Sequence, residues 1–96
     1  MFVVIRTFRL RDDADERHFL QANERVQMEF SHFQSGFVRR TVAREPHGEW
    51  VILDFWGSEE EATAADGAAP DDPASQEMSA LIDPSTIATK RFETLD

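Results

Sequence analysis

Two segments of this 96-residue chain carry apolar residues on both sides of a predicted β-strand, and this feature constrains the fold most. Successive side chains of a strand point to opposite faces of the sheet. In residues 2–10 the apolar residues of the two faces are Phe2, Val4 and Phe8 against Val3 and Ile5. In residues 49–56 they are Trp50 and Ile52 against Val51, Leu53 and Phe55. Because a sheet with water on one side shows a cleaner alternation, we expect both faces of these strands to be covered.

An amphipathic helix is predicted after the first strand. It begins among acidic residues, where Asp13 and Glu16 have the spacing of a capping box. Its apolar stripe recurs at steps of three and four residues, over Phe19, Ala22, Val26, Phe30 and Phe33. Gly36 is predicted to end the helix, in the left-handed conformation that glycine adopts readily.

A second helical segment is predicted from Ser58, which has the capping-box spacing to Glu61. The residues that interrupt it are Gly67, Pro70 and Pro73. An Ala-rich first part is therefore followed by a second part over roughly 73–82. Asp72 is expected to cap this second part, with Pro73 at its first helical position.

Two further strands are predicted over residues 37–44 and 85–95. The element order is β-α-β-β-α-β, the ferredoxin-like arrangement, in one α+β domain that spans 1–96. Right-handed crossovers give a four-stranded antiparallel sheet with the strand order 4-1-3-2. Two helices cover only one face of such a sheet, and we infer that a second copy of the chain covers the other face in a homodimer.

The charge balance argues against several classes of partner. Ten Lys and Arg against nineteen Asp and Glu leave a formal charge of −9, whereas nucleic acids and anionic membranes attract a positive face. The absence of Cys removes disulfide and thiolate chemistry. No apolar run is long enough to span a bilayer and no signal peptide is visible. We expect a cytoplasmic protein that binds neither nucleic acid nor membrane.

Arg6 and Asp54 are the most informative polar residues, since each lies within an otherwise apolar central strand. A buried carboxylate is costly unless it is paired, and the two strands are adjacent, so the side chains are predicted to meet on one face. Two interpretations stay open. The pair is a structural ion pair, or Arg6 holds an anionic or enolic substrate oxygen while Asp54 orients it or takes a proton. A paired carboxylate is a weaker base, which weighs against catalysis by Asp54.

Trp56 and His32 complete the candidate pocket residues, and no catalytic residue is assigned. Trp56 shares the face of Asp54 by alternation, where an aromatic residue is most often part of a core or interface. His18 and His32 lie fourteen residues apart in one helical segment, which is about 21 Å along a helix. They cannot share a metal ion, and no metal site is predicted.

The segment 62–69 is rich in small side chains. Opposite bulky aromatic residues, these side chains are expected to leave room for an apolar ligand, with Gly67 and Pro70 letting the segment act as a lid. The alternative is an irregular stretch without a binding role.

Several runs of residues together resemble the antibiotic biosynthesis monooxygenase (ABM) domain of the dimeric α/β barrel superfamily. The most recognisable run is Trp50-Val51-Ile52-Leu53-Asp54-Phe55-Trp56-Gly57-Ser58-Glu59-Glu60-Glu61-Ala62. The others are Gly36-Phe37-Val38, Asp72-Pro73-Ala74 and Leu81-Ile82-Asp83, with Phe92 in the last strand. The resemblance implies two chains whose sheets form a barrel, with a pocket in each subunit between the sheet and the helices.

The resemblance also narrows the function. Its haem-degrading members use an Asn, a Trp and a His, at positions that correspond here to Arg6, Ala64 and residues 75–78, and none of these residue types is present there. The resemblance implies a cofactor-independent monooxygenase-like protein that acts on a small aromatic or quinol-type substrate, which itself reduces dioxygen. The alternative is a non-catalytic homodimeric module of the same fold that binds a small hydrophobic molecule or has a structural role.

Overall fold

The computed structural model describes residues 1–96 and contains a four-stranded antiparallel sheet with three helices. The strands are β1 (Phe2–Phe8), β2 (Phe37–Arg44), β3 (Trp50–Trp56) and β4 (Ala88–Glu93). The helices are α1 (Glu16–Glu29), α2 (Glu59–Ala68) and α3 (Pro73–Ser79). Short 3₁₀ turns lie at Ser31–Phe33, Ala69–Asp71 and Pro84–Thr86. The strand order β2-β3-β1-β4 confirms the predicted ferredoxin-like topology, because it is the order 4-1-3-2 read from the other edge.

The strand register decides which residues share a face. Val4 of β1 pairs with Asp54 of β3, and Arg6 pairs with Ile52. In β2 a β-bulge between Phe37 and Arg39 shifts the register by one residue, so that Arg40 pairs with Asp54. All three charged side chains therefore lie on the same face of the sheet, because the residues of one face alternate along each strand.

The hydrophobic core lies between this face of the sheet and the helices. One cluster consists of Phe2, Val4, Trp56, Ala62 and Ala65. A second consists of Phe8, Phe19, Trp50, Ile52 and Ile82. In the second cluster the ring of Phe19 lies between those of Phe8 and Trp50, at centroid distances of 5.6 and 4.9 Å. Such tilted and edge-to-face pairs are the arrangement that aromatic rings prefer.

The first helix differs from its prediction at both ends. Its N-cap is Asp15, not Asp13, because the Asp15 carboxylate accepts a hydrogen bond from the backbone N–H of His18 at 3.3 Å. The helix ends at Glu29, since Phe30 leaves the helical conformation and a 3₁₀ turn follows. As a result Phe33 is 80% exposed and does not belong to the apolar stripe.

Gly36 has the predicted left-handed conformation, with a φ of 80°, but it precedes β2 instead of ending α1. A Cβ atom at this position would also clash with the carboxyl group of Glu61. The backbone conformation thus requires glycine here, and a larger residue would also displace the Glu61 carboxyl group.

The second helical region follows its prediction closely. The Ser58 hydroxyl accepts a hydrogen bond from the Glu61 backbone N–H at 3.2 Å and donates one to Glu61 Oε1 at 3.0 Å. Asp72 caps α3 through the backbone N–H of Ser75 at 2.8 Å. Gly67 does not interrupt the helix, because it lies within α2. The break between the two helical parts falls at the 3₁₀ turn that contains Pro70. The last strand is also shorter than predicted, since the 3₁₀ turn at Pro84–Thr86 precedes it.

The second face of the sheet carries an apolar surface that no helix of this chain covers. By the strand register, its apolar residues on the three strands β1, β3 and β4 are Val3, Ile5, Val51, Leu53, Phe55 and Phe92. Phe92 is 48% exposed, and most of the others are partly exposed. We call this surface the open face. None of the helices is both long enough and apolar enough to cross a membrane.

Candidate functional site

A cavity of about 810 Å³ lies between the sheet and the helices α2 and α3. Its apolar lining includes Phe8, Ile52, Trp56, Ala65, Met78 and Ile82. Its charged lining consists of Arg6, Arg40, Asp54 and Asp66. A volume of this size is in the range of small-molecule sites, which are mostly apolar with a few polar groups. Two small residues of the segment 62–69 line it, Ala65 of α2 and Ala69 of the turn that follows.

Asp54 and Arg40 form the innermost ion pair of the cavity. The Asp54 residue is 3% exposed, and both of its carboxylate oxygens accept hydrogen bonds from Arg40 Nη1 at 3.1 Å. Arg40 Nε donates to Asn23 Oδ1 of α1 at 2.8 Å. Burial lowers the pKa of Arg40 below its usual value, and the charge of Asp54 opposes this change. The guanidinium stays charged at physiological pH, because arginine is not deprotonated in proteins.

Arg6 stands between two carboxylates. Its Nη1 lies 3.5 Å from Asp54 Oδ2, and its Nη2 donates a hydrogen bond to Asp66 Oδ1 of α2 at 2.6 Å. The structure therefore brings Arg6 and Asp54 together as the sequence predicted. The Arg6 side chain is 29% exposed, against 6% for Arg40, so Arg6 is the cation that a ligand in the cavity can reach.

Asp66 also joins the last strand to the site. Its second carboxylate oxygen accepts a hydrogen bond from Arg91 Nη1 of β4 at 2.9 Å, and Arg91 Nη2 donates to the Thr63 hydroxyl at 2.9 Å. The network of Arg6, Arg40, Arg91, Asp54 and Asp66 contains three cations and two anions, and its net charge is +1. The site is thus locally positive in a chain of formal charge −9.

The remaining residues named by the sequence are divided between the cavity and the surface. Trp56 lines the cavity and is 4% exposed. His32 is not among the lining residues, because it lies on the exposed 3₁₀ turn after α1, with its ring against that of Phe37 at 5.5 Å. His18 lies on the surface of α1, 3.3 Å from Glu77 of α3. No group of three His, Asp or Glu side chains is placed to hold a metal ion.

Three members of the charge network were not singled out in the sequence. Arg40 lies next to Arg39, and alternation alone cannot tell which of two adjacent arginines faces inward when a bulge intervenes. Asp66 had a recognisable signal, since it is the one carboxylate of α2 beyond the first turn and so has no role at the helix N-terminus. Arg91 lies on an edge strand with no apolar alternation to orient it.

The fold is shared with several solved structures, one of which is a cofactor-independent oxygenase. SnoaB from Streptomyces nogalater, a cofactor-independent oxygenase solved in a mutant form, is 21% identical with a TM-score of 0.78, over 99% of this chain and 93% of that chain. Rv0793 from Mycobacterium tuberculosis is 18% identical with a TM-score of 0.71, over 99% and 95% of the two chains. A candidate antibiotic biosynthesis monooxygenase from Caulobacter crescentus is 11% identical with a TM-score of 0.78, over 99% and 90%.

No protein-family model matches the chain, and no curated protein matches it. The likeness to the solved structures extends over nearly the whole length of both partners. The resemblance to the ABM domain is thereby confirmed in its fold: a four-stranded antiparallel sheet of ferredoxin-like topology with its helices on one face.

Proposed function

We propose that the protein is a cofactor-independent monooxygenase acting on a small aromatic or quinol-type substrate. The observation that carries the proposal is the cavity of about 810 Å³ with apolar walls and a reachable cation, Arg6, beside its buried ion pair. A flat aromatic ring fits apolar walls, and a guanidinium stabilises an oxygen that becomes negative. The fold shared with SnoaB, a cofactor-independent oxygenase, supports the same interpretation.

The reaction uses electrons from the substrate itself. An anthrone-type substrate loses a proton to solvent and becomes an enolate, which transfers electrons to dioxygen. One oxygen atom becomes the new carbonyl oxygen at the ring methylene carbon. The other oxygen atom leaves as water, which takes up the equivalent of the two methylene hydrogens. The substrate supplies all four electrons, so the balance requires no further reductant. Arg6 contributes by stabilising the enolate oxygen, which lowers the barrier to its formation.

Asp54 has a positioning role in this scheme. Both of its oxygens already accept hydrogen bonds from Arg40, and its charge also faces Arg6. In this scheme Asp54 acts through these arginines and not directly on the substrate. It fixes the orientation of the two guanidinium groups instead, while Trp56 supplies an apolar wall for the ring.

The test is oxygen uptake in air with anthrone and with 1,4-dihydroxynaphthalene, corrected for the uptake of the same solutions without protein. We expect the protein to accelerate uptake with at least one substrate and to form the oxygenated product together with water, anthraquinone from anthrone or 2-hydroxy-1,4-naphthoquinone from 1,4-dihydroxynaphthalene. Formation of 1,4-naphthoquinone with hydrogen peroxide, in which no oxygen atom is inserted, would not count as monooxygenation. Arg6→Met is expected to lower the rate, since the enolate loses its counter-charge. Arg17→Met, which removes an exposed arginine of α1 outside the cavity, is the matched control and should leave the rate unchanged. Equal rates for all three proteins would overturn the role of Arg6, and no acceleration would overturn the enzyme.

A non-catalytic binding module is the second candidate, and one observation favours it. No buried side-chain nitrogen or oxygen atom lacks a hydrogen-bond partner, so no unpaired buried base points into the cavity. Binding of a naphthoquinone, monitored by quenching of tryptophan fluorescence, together with no oxygen uptake, would support the module.

We also propose that two copies of the chain pair through the open face. Its apolar residues lie mainly on the central strands, whereas an antiparallel sheet that faces water on one side normally carries polar residues there. A surface of this kind marks an interaction site in a folded protein. Sedimentation at micromolar concentration tests the pairing, because a stably folded species of 11.0 kDa would contradict it.

A further inference from the structure

We propose that Arg6 and Arg91 form an anion subsite at the cavity, which Asp66 occupies in this structure and which accepts the acid group of an aromatic ligand. This inference rests on the proposed function, since Arg6 and Asp66 line the same cavity and Arg91 joins them through Asp66. Asp66 acts in it as an internal competitor of the ligand and sets the preference of the site for anions.

The two arginines are held on adjacent strands and on one face. Arg91 pairs with Val4, and Arg6 pairs with Thr89, so the two side chains are diagonal neighbours across the ladder. Arg91 is further held over the ring of Phe2, at 5.1 Å from its centroid. The sheet thus places two guanidinium groups around one position, which is the arrangement that binds a carboxylate or a similar anion strongly.

Asp66 shows what such an anion would do. One of its oxygens accepts from Arg6 at 2.6 Å and the other from Arg91 at 2.9 Å, so the carboxylate bridges the two cations as a ligand carboxylate would. It comes from α2, which packs on the sheet through small residues, Ala62 and Ala65. The Asp66 side chain is 35% exposed, so it is able to rotate towards solvent without leaving a buried charge behind.

The charges around the subsite favour replacement by a ligand anion. With Asp66 turned away, Asp54 is the one carboxylate left beside the three arginines of the network, of which Arg6 and Arg40 contact it, and the local charge is +2. Ile52, the strand partner of Arg6, belongs to the apolar lining of the cavity. A ligand with an aromatic ring and an acid group therefore satisfies both parts of the site, whereas a neutral ring satisfies only the apolar part.

Two fluorescent probes of matched shape test the inference: 8-anilinonaphthalene-1-sulfonate, which carries an acid group, and N-phenyl-1-naphthylamine, which lacks it. Asp66→Asn removes the competing charge, and we expect it to tighten binding of the sulfonate roughly tenfold, the effect of one lost charge-assisted hydrogen bond, since the asparagine amide oxygen still accepts from one of the two arginines. Arg91→Gln is expected to weaken sulfonate binding. Neither change should alter binding of the neutral probe by more than about twofold, a small free energy by comparison.

Two control variants distinguish probe binding at this subsite from a general effect of net charge and from probe binding at the open face. Asp71→Asn removes an equal charge from an exposed position after α2 and should leave both probes unaffected. Arg39→Gln removes an arginine of the open face, beside Phe55, and should do the same. The proposal is overturned if Asp66→Asn behaves as Asp71→Asn, if both probes respond alike, or if Arg39→Gln abolishes sulfonate binding.

The probes and the oxygen assay report on different claims. Anion preference that depends on Asp66, without oxygen uptake, would retain the subsite and overturn the enzyme. Accelerated oxygen uptake without an anion preference that depends on Asp66 would retain the enzyme and overturn the subsite. Asp66→Asn is expected to tighten sulfonate binding and Arg91→Gln to weaken it. A loss of stability in one of the two variants therefore cannot produce both changes.

Discussion

Asp54 is the residue through which the charged side chains of the cavity are connected. It is the direct partner of Arg40 and also faces Arg6, and it is nearly inaccessible to solvent. Arg40 is almost as deeply buried, with a side chain 6% exposed. Removing one member of a buried ion pair leaves the other without a counter-charge, and this costs more than the pair itself contributes.

Asp54→Asn is therefore expected to lower the free energy of unfolding by about 3–5 kcal/mol, measured by urea denaturation. The double variant Arg40→Met/Asp54→Leu removes both charges and should recover most of the loss, since a well-packed apolar pair can replace a buried ion pair. Asp71→Asn is the control at an exposed carboxylate and should change stability little. A loss in the double variant as large as in Asp54→Asn would contradict this account.

The two central-strand charges could be predicted from the sequence because each interrupts an apolar alternation. Arg6 and Asp54 are the charged residues in two strands that otherwise carry apolar side chains on both faces. Arg40 and Asp66 could not be assigned in the same way, since their placement depends on a strand register and on the approach of α2 to the sheet. Their partners become evident only when three-dimensional contacts are known.

At the scale of the elements, local hydrogen bonding explains both the successes and the errors of prediction. Ser58 and Asp72 were identified as helix caps because the capping residue and its backbone partner are close in sequence. The capping-box spacing predicts Asp13 as the cap of α1, whereas Asp15 is the cap, because several acidic residues close together offer the same chemistry. The premature end of α1 had no sequence signal, since Phe33 continues the helical spacing and is excluded only by the path of the chain into β2.

The turn before β4 provides a prediction of pH dependence. The hydroxyl and the backbone N–H of Ser85 donate hydrogen bonds to the Asp83 carboxylate, and they lower the pKa of Asp83 below its usual value of 3.8. A lowered pKa in the folded state means that this contribution to stability is present above about pH 4 and is lost as the pH falls through the lowered value.

Ser85→Ala removes the larger of the two contributions, and we expect the pKa of Asp83 to move up towards 3.8 without reaching it, because the backbone donor remains. A carboxyl-carbon NMR titration measures this change. Ser35→Ala, an exposed serine before Gly36, is the control. An unchanged Asp83 titration in Ser85→Ala would show that the hydroxyl has no such effect.

At the scale of the whole molecule, the strand order followed from the sequence because topology obeys few rules. The two most apolar strands were expected at the centre, and right-handed crossovers then fix the order. The presence of apolar residues on both faces of β1 and β3 was equally evident. The partner that covers the open face does not follow in the same way, because the sequence and the structure of one chain define this surface but not the molecule that binds to it.

Leu53→Glu tests the proposed pairing at the centre of this surface. A carboxylate there would be buried without a counter-charge in a dimer but would be solvated in a monomer. We expect the variant to sediment at half the mass of the parent protein and to keep its circular dichroism spectrum. Leu20→Glu, at a site of α1 that is 44% exposed, is the matched control and should keep the mass of the parent. Parent and Leu53→Glu of equal mass would contradict the proposed interface.

The bulge in β2 determines which single-residue deletions this strand tolerates. Phe37 pairs with Trp56 and Arg39 with Phe55, so Val38 is the surplus residue of the ladder and is 49% exposed. Deleting Val38 should restore continuous pairing and leave Arg40 opposite Asp54. Deleting Thr41, two residues before Ala43, should invert the remainder of the strand, because a shift of one position exchanges the two faces. Of these two single-codon deletions, the first is expected to yield a folded protein by circular dichroism and the second to unfold it.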